Sequence, residues 1–242
     1  MQLVADFELV RVVLALGMFA CASYFDLRKR SVSDLLWIIF ASIAGVIYIF
    51  DFPSTQEEGI LTAISIGLAA AVSYCIYRGG LFGGADMLAL ITFAAILPLY
   101  DGGSLFGVME TGASFHPFSP LIVLTNAVIL SMTQIFWNLL RNLAHKDRLF
   151  EGLQHESASK KIIAVMIGHR SASPKYAFSI ERVVNGRRQF DFAPKPAETA
   201  EYETKKDVWV TSATPFLVFM GAGLVTMLVV GDLLALLFKM LS

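Results

Sequence analysis

Residues 7–30 read FELVRVVLALGMFACASYFDLRKR. From Phe7 to Phe25 the run is almost wholly apolar, and it closes on an aspartate and three cations. A helix needs about 20 predominantly apolar residues to cross the hydrocarbon core of a bilayer, so this stretch reads as a membrane span, with Arg11 close enough to its start to reach the interface. A cleavable signal peptide carries its cations before the apolar run. Here they follow it, and the span is expected to be retained.

Five further apolar stretches follow, at about Leu35–Phe50, Ile60–Tyr77, Met87–Tyr100, Pro120–Leu140 and Ala213–Phe238, the last interrupted at Gly231-Asp232. Composition agrees: 56% of the 242 residues are hydrophobic and only 16% are charged, against about 25% charged in an ordinary soluble domain. Disorder is excluded for most of the chain, since it needs low hydrophobicity and high charge. With 19 basic against 20 acidic residues there is no basic excess for nucleic acid. Cys21 and Cys75 alone support neither a disulfide framework nor a Cys-based zinc site. The expected fold is an all-α polytopic membrane protein of about six transmembrane helices.

The placement of charge gives an orientation. Nearly every Lys and Arg lies in the first, third and fifth connections, whereas the second and fourth hold Asp51, Glu57, Glu58, Asp101 and Glu110 and no cation. By the positive-inside rule the odd connections are cytoplasmic and both termini lie outside. The fifth connection, 141–208, holds most of the charge and reads as a small cytoplasmic β-rich insert. Within it KKIIAVMIG (160–168) and KYAFSIERVV (175–184) read as strands, and Asn185-Gly186 before RRQFDFA is a hairpin signal. PKPAETAEYETKK (194–206) reads as a linker. The chain thus divides into 1–140 with five spans, the insert 141–208, and 209–242 with the sixth span.

A carboxylate at a bilayer is a functional hypothesis by default. Asp26 ends the first span, and Asp86 begins the fourth just after LFGGA (81–85). On the topology above they lie at one membrane depth although sixty residues separate them. Two carboxyl groups at close range do not both ionise: one can take a proton from water while the other gives one to a carbonyl oxygen, the arrangement of aspartic proteases. Gly83 and Gly84 beside Asp86 let a backbone approach closely, as an extended substrate requires.

FDLRKRSVSDLLW (25–37) resembles the first motif of the prepilin peptidases, and LFGGADMLAL (81–90) resembles their second, the Gly-x-Gly-Asp signature. The polar insert before the last span and WVTSATPF (209–216) are similar to the archaeal branch, the preflagellin peptidases. The resemblance implies a membrane aspartic endopeptidase that removes the short basic leader, a class III signal peptide, from archaellin or pilin-like precursors at the cytoplasmic face of the cell membrane. Carried over to this chain, it makes Asp26 and Asp86 the catalytic pair, with Gly83, Gly84 and Ala85 shaping the loop. Ala85 stands where the signature has glycine, and alanine does not take positive φ cheaply. The resemblance implies no metal and no other cofactor; the Cys-rich zinc region and methyl-donor motif of many bacterial relatives are absent from the sequence, so cleavage without methylation is expected.

Asp34 is read first as a helix-capping residue after Ser33 and second as a group binding a basic leader. Arg28, Lys29 and Arg30 are accounted for by topology, Asp232 by an interfacial position near the outer end of the last span, and the four His show no metal spacing. Two alternative readings stay open: a proton-coupled transporter or channel with Asp26 and Asp86 as relay groups, and a non-catalytic assembly platform that uses the insert.

Overall fold

In a computed structural model the described residues are 2–100, 114–143, 149–193 and 201–242. Asp101, Glu110, His145 and most of the presumed linker lie outside them. The elements in chain order are α1 (Gln2–Lys29), α2 (Asp34–Phe50), α3 (Gln56–Arg78), α4 (Gly84–Ile96), α5 (Ser119–Ser131), α6 (Thr133–Leu143), α7 (Ala158–Ile167), β1 (His169–Ser171), β2 (Ala177–Ser179), β3 (Glu181–Val184), β4 (Arg187–Phe190), β5 (Val208–Ser212), α8 (Phe216–Val229) and α9 (Leu233–Leu241). They form two compact units, Met1–Ser131 with Pro215–Ser242, and Met132–Thr214.

The protein is a helical membrane protein. Phe7–Lys29, Gln56–Arg78 and Ser119–Leu143 are each long and apolar enough to cross a bilayer. The last stretch is a fourth candidate only as a pair, α8 and α9, bent by 61° at their junction. Among the described residues the expected count of six is therefore not reached by helix length: α2 has 17 residues and α4 has 13, about 25 and 20 Å of helix against a core of about 30 Å. The expected fourth span was drawn to Tyr100, but the helix stops at Ile96. The reason is Pro98, because the residue before a proline is pushed out of the α region, and Leu97 sits at φ −134, ψ 82.

A helix end buried among apolar neighbours must find partners for its last carbonyls. For α4 they come from three other segments. Arg11 Nη1 donates to Ile96 O at 3.0 Å, the Ser119 hydroxyl donates to Leu97 O, and Ser65 Oγ donates to Pro98 O at 2.6 Å. Arg11 is thus not the interfacial residue its position suggested. It is 8% exposed, pairs with Asp51 at 3.3 Å, and lies 4.4 Å over the Tyr48 ring. One guanidinium holds α1 to the ends of α2 and α4.

The α8–α9 break follows the same rule. Gly231 takes φ +99, which favours glycine. Asp232, expected at the interface, is buried and caps α9, its Oδ1 accepting from Leu234 N and Ala235 N. Asn126 on α5 closes the break: its Nδ2 donates to Gly231 O at 3.0 Å and its Oδ1 accepts from Leu233 N at 3.0 Å. Above it α5 and α8 approach very closely, because Gly223 faces the α5 backbone, as small residues do between membrane helices.

In the second unit β5 is the centre of an antiparallel sheet of order β1-β5-β2, and β3 and β4 form a hairpin. The hairpin is the expected one. Asn185 and Gly186 both take positive φ, 51° and 75°, as a two-residue type I′ loop requires. KKIIAVMIG, expected as a strand, is the helix α7. Ser157 caps it, accepting from Lys160 N at 3.4 Å, and a cap ahead of an apolar run starts a helix even among β-branched residues. Residues 201–206 have no regular structure, yet Glu203 N donates to Ala177 O and Tyr202 stacks on Phe178. A core of Leu153, Ala164, Ile180, Phe190 and Trp209 holds this unit together.

A Cβ added at Gly223 would stand 2.6 Å from Val123 O and 3.0 Å from Ala127 N, whereas one added at Gly17 would meet nothing within 4 Å. Gly223→Ala is therefore expected to cost about 1–3 kcal/mol by overpacking. Unfolding in detergent, followed by thermal or SDS titration, should show the loss for Gly223→Ala and none for Gly17→Ala.

Candidate active site

Asp26 lies in the last turn of α1 and Asp86 in the first turn of α4. Their relation follows from how the two helices meet. Arg11 of α1 binds Ile96 of α4, and Phe19 packs on Phe93 with ring centroids 5.5 Å apart. Numbers rise along one helix as they fall along the other, so the pair is antiparallel. Asp26 is seven residues beyond Phe19, and Asp86 is seven residues before Phe93. Seven residues are close to two turns and about 10.5 Å of rise. Both carboxyl groups therefore stand at one level and near the face that carries the ring contact. Between ring contact and carboxylates along their helices lie Ala22 and Ala89, both fully buried.

The two carboxyl groups are held differently. Asp86 is the third residue of its helix, and its Oδ2 accepts the N–H of the cap residue Gly83 at 2.9 Å. This is the reciprocal half of a capping box, so Asp86 also caps its helix, with its second oxygen not engaged in that bond. Asp26 keeps partial exposure, and its main-chain carbonyl accepts from Arg30 N at 2.9 Å. Arg30 follows the last residue of α1, Lys29, at φ +53. Arg28 and Lys29 lie instead over the rings of Tyr24 and Phe25, at 5.3 and 6.0 Å. The three cations, alike in sequence, are not alike in place, and Arg30 is the one that sequence reasoning passed over. Its i+4 spacing from Asp26 on a helix was the available signal.

The glycines differ in backbone conformation. Gly80 has φ +73 and ends α3, with Leu81 N donating to Ile76 O at 3.2 Å. Gly83 has φ −75 and Gly84 is the first residue of α4, so neither uses the left-handed region. A Cβ at Gly83 would stand 3.4 Å from Asp86 Oδ2, an ordinary contact. Ala85 lies inside the helix and packs on the core. No positive φ is asked of it, and alanine suits a helix better than glycine does. Between the caps, Phe82 is buried and packs on Phe216 in a tilted pair with ring centroids 5.1 Å apart, which ties the loop to the start of α8. Asp34 is exposed in the first turn of α2, beside the cap Ser33, whose Oγ accepts from Leu35 N. It joins the cap and not the two-carboxylate level by any hydrogen bond among the described residues.

Chemically the arrangement offers two carboxyl groups at one depth, at the ends of two helices, beside a cation. The Phe19–Phe93 contact should be measurable on its own. A double-mutant cycle of Phe19→Leu and Phe93→Leu in SDS unfolding is expected to give a coupling of about 0.5–1.5 kcal/mol beyond lost burial. Additive single effects would mean that the rings do not set the register.

Two family models match the chain. The type IV leader peptidase family matches residues 13–135, which include both aspartates, and the archaeal peptidase A24 C-terminus type II matches residues 128–233. Among curated proteins, the preflagellin peptidase of Methanocaldococcus jannaschii is 23% identical over 242 residues, covering 91% of this chain and 93% of that protein. The preflagellin peptidase of Methanococcus maripaludis is 24% identical over 229 residues, covering 91% and 94%.

Proposed function

The chain belongs to the type IV leader peptidase family, and from that premise we propose that it removes the leader peptide from preflagellin-like precursors, with Asp26 and Asp86 as its catalytic pair. The observation that carries the assignment is their shared level across the antiparallel α1–α4 contact, set by Phe19 and Phe93. A transport relay finds no support in either family match.

In this reading one carboxylate takes a proton from a water held between the pair while the water oxygen attacks the scissile carbonyl carbon. The other carboxyl group protonates the carbonyl oxygen, giving a tetrahedral diol. Collapse breaks the C–N bond as the departing nitrogen takes a proton, and the pair returns to its starting state with one proton shared. No cofactor enters the scheme. The Gly83 N–H orients one oxygen of Asp86, and Asp34 offers an exposed negative charge for the basic leader.

The substrate class follows from depth. A class III signal peptide carries a short basic leader in the cytoplasm directly before an apolar helix, so its scissile bond lies at the cytoplasmic edge of the bilayer. We place both aspartates at that edge, both termini outside, and the 141–208 insert in the cytoplasm. In this arrangement α2 and α4 complete the crossings together with the non-helical residues at their ends, giving six in the cell membrane. Archaellin and pilin-like precursors meet these requirements.

Asp26→Asn and Asp86→Asn are each expected to abolish cleavage of a leader-bearing archaellin precursor in membranes holding the expressed protein, with the amount of membrane-inserted protein unchanged. Cleavage at the wild-type rate by either variant would remove that residue from the mechanism, and by both would end the aspartic assignment.

A further inference from the structure

Helix α6 is built inside out for a protein surface in water. Its polar side faces protein: Asn142 is 3% exposed and donates through Nδ2 to Val165 O at 3.0 Å and Gly168 O at 2.8 Å, and Asn138 Nδ2 donates to Met166 O at 3.1 Å. Its apolar side faces outward, with Phe136 and Trp137 both 67% exposed and Leu140 and Leu143 exposed with them. Helix α7, whose C-terminal carbonyls those asparagines bind, continues the pattern with Ile162, Ile163, Met166 and Ile167 all exposed. A helix on a water-soluble surface turns its apolar stripe inward, and a continuous apolar patch of this kind marks a binding surface. Asparagine bonding between helices with apolar faces outward is the arrangement found in lipid.

We propose that α7 is a membrane-seated helix which, clamped to α6 by Asn138 and Asn142, holds the Met132–Thr214 unit against the lipid–water boundary. Three observations name lipid as the occupant. The stretch Ser119–Leu143, of which α6 is the C-terminal part, is itself long and apolar enough to cross a bilayer, so a helix bonded to Asn138 and Asn142 is brought to the bilayer with it. Outward Trp and Phe are the aromatic side chains of membrane interfaces. The two helices carry Arg141, Lys160 and Lys161 and no carboxylate, which suits a headgroup layer. With 10 residues α7 is about 15 Å long, too short to cross, so it lies in the boundary as interfacial helices do. The inference rests on the membrane reading of Ser119–Leu143 and not on the catalytic pair, so loss of the peptidase assignment leaves it standing.

The test uses the full chain with Cys21→Ser and Cys75→Ser, carrying one nitroxide label at Ile163→Cys or Met166→Cys, and at Val183→Cys on β3, exposed at 66%, as the water reference. Each is reconstituted into vesicles of phosphatidylcholine and phosphatidylglycerol, and collisions with oxygen and with a water-soluble nickel chelate are measured by EPR. Oxygen collisions exceeding nickel collisions at both 163 and 166, with the reverse at 183, are expected. Nickel-dominated collisions at 163 or 166 would put the face in water, and few collisions with either reagent would put it against protein, such as a second copy. Each of these overturns the proposal.

Discussion

The register of α1 against α4 is the constraint on which the candidate site depends. Two contacts set it, the Arg11 guanidinium on Ile96 O at one end and the Phe19–Phe93 rings near the middle. Neither is chemical in purpose, yet together they fix the direction and level of both helices and so the level of Asp26 and Asp86. A slip by one residue would rotate one carboxylate by about 100° and shift it about 1.5 Å. Ala15, Met18 and Ala22 of α1 and Ala89 and Leu90 of α4 are fully buried in one apolar core, and close packing of this kind tolerates little displacement.

A second theme is how polar side chains are used among apolar surroundings. Arg11, Ser65 and Ser119 satisfy the end of α4, and Asn126 and Asp232 satisfy the break between α8 and α9. In each case a non-helical backbone segment inside the apolar unit has its exposed amides or carbonyls answered by a side chain from elsewhere, as the absence of water demands. Asp86 is similar in part, because one oxygen answers Gly83 N–H. It differs in standing at the level of another carboxyl group, Asp26 on the neighbouring helix α1.

Much of this was legible in the sequence. Apolar runs and their polar breaks gave the helical membrane class, Asn185-Gly186 gave the hairpin, and two aspartates at matching span ends gave the candidate pair. What was not legible depended on partners distant in the chain. Arg11 looks interfacial until Asp51 and Ile96 are seen beside it. Asp232 looks interfacial until the 61° bend makes it a cap. The apolar run 160–168 cannot be told from a strand by periodicity at that length; it is a helix capped by Ser157 and bonded near its end by the α6 asparagines. The departure at Ala85 looked like a risk to loop geometry because the signature was read as a loop. Once Gly84–Ile96 is a helix, alanine at 85 is an ordinary helical residue.

The central claim is that Asp26 and Asp86 face each other at one level across the α1–α4 seam. It is tested most directly by intramolecular cross-linking in membranes, with Cys21 and Cys75 replaced by serine and the chain carrying Asp26→Cys together with Asp86→Cys. The account predicts that a short bismaleimide joins these two positions within one chain, read by mass spectrometry of the digest. It also predicts that the same reagent fails to join Asp26→Cys to Ile96→Cys at the far end of α4. A chain that links 26 to 96, or that is labelled at both 26 and 86 without linking them, would contradict it.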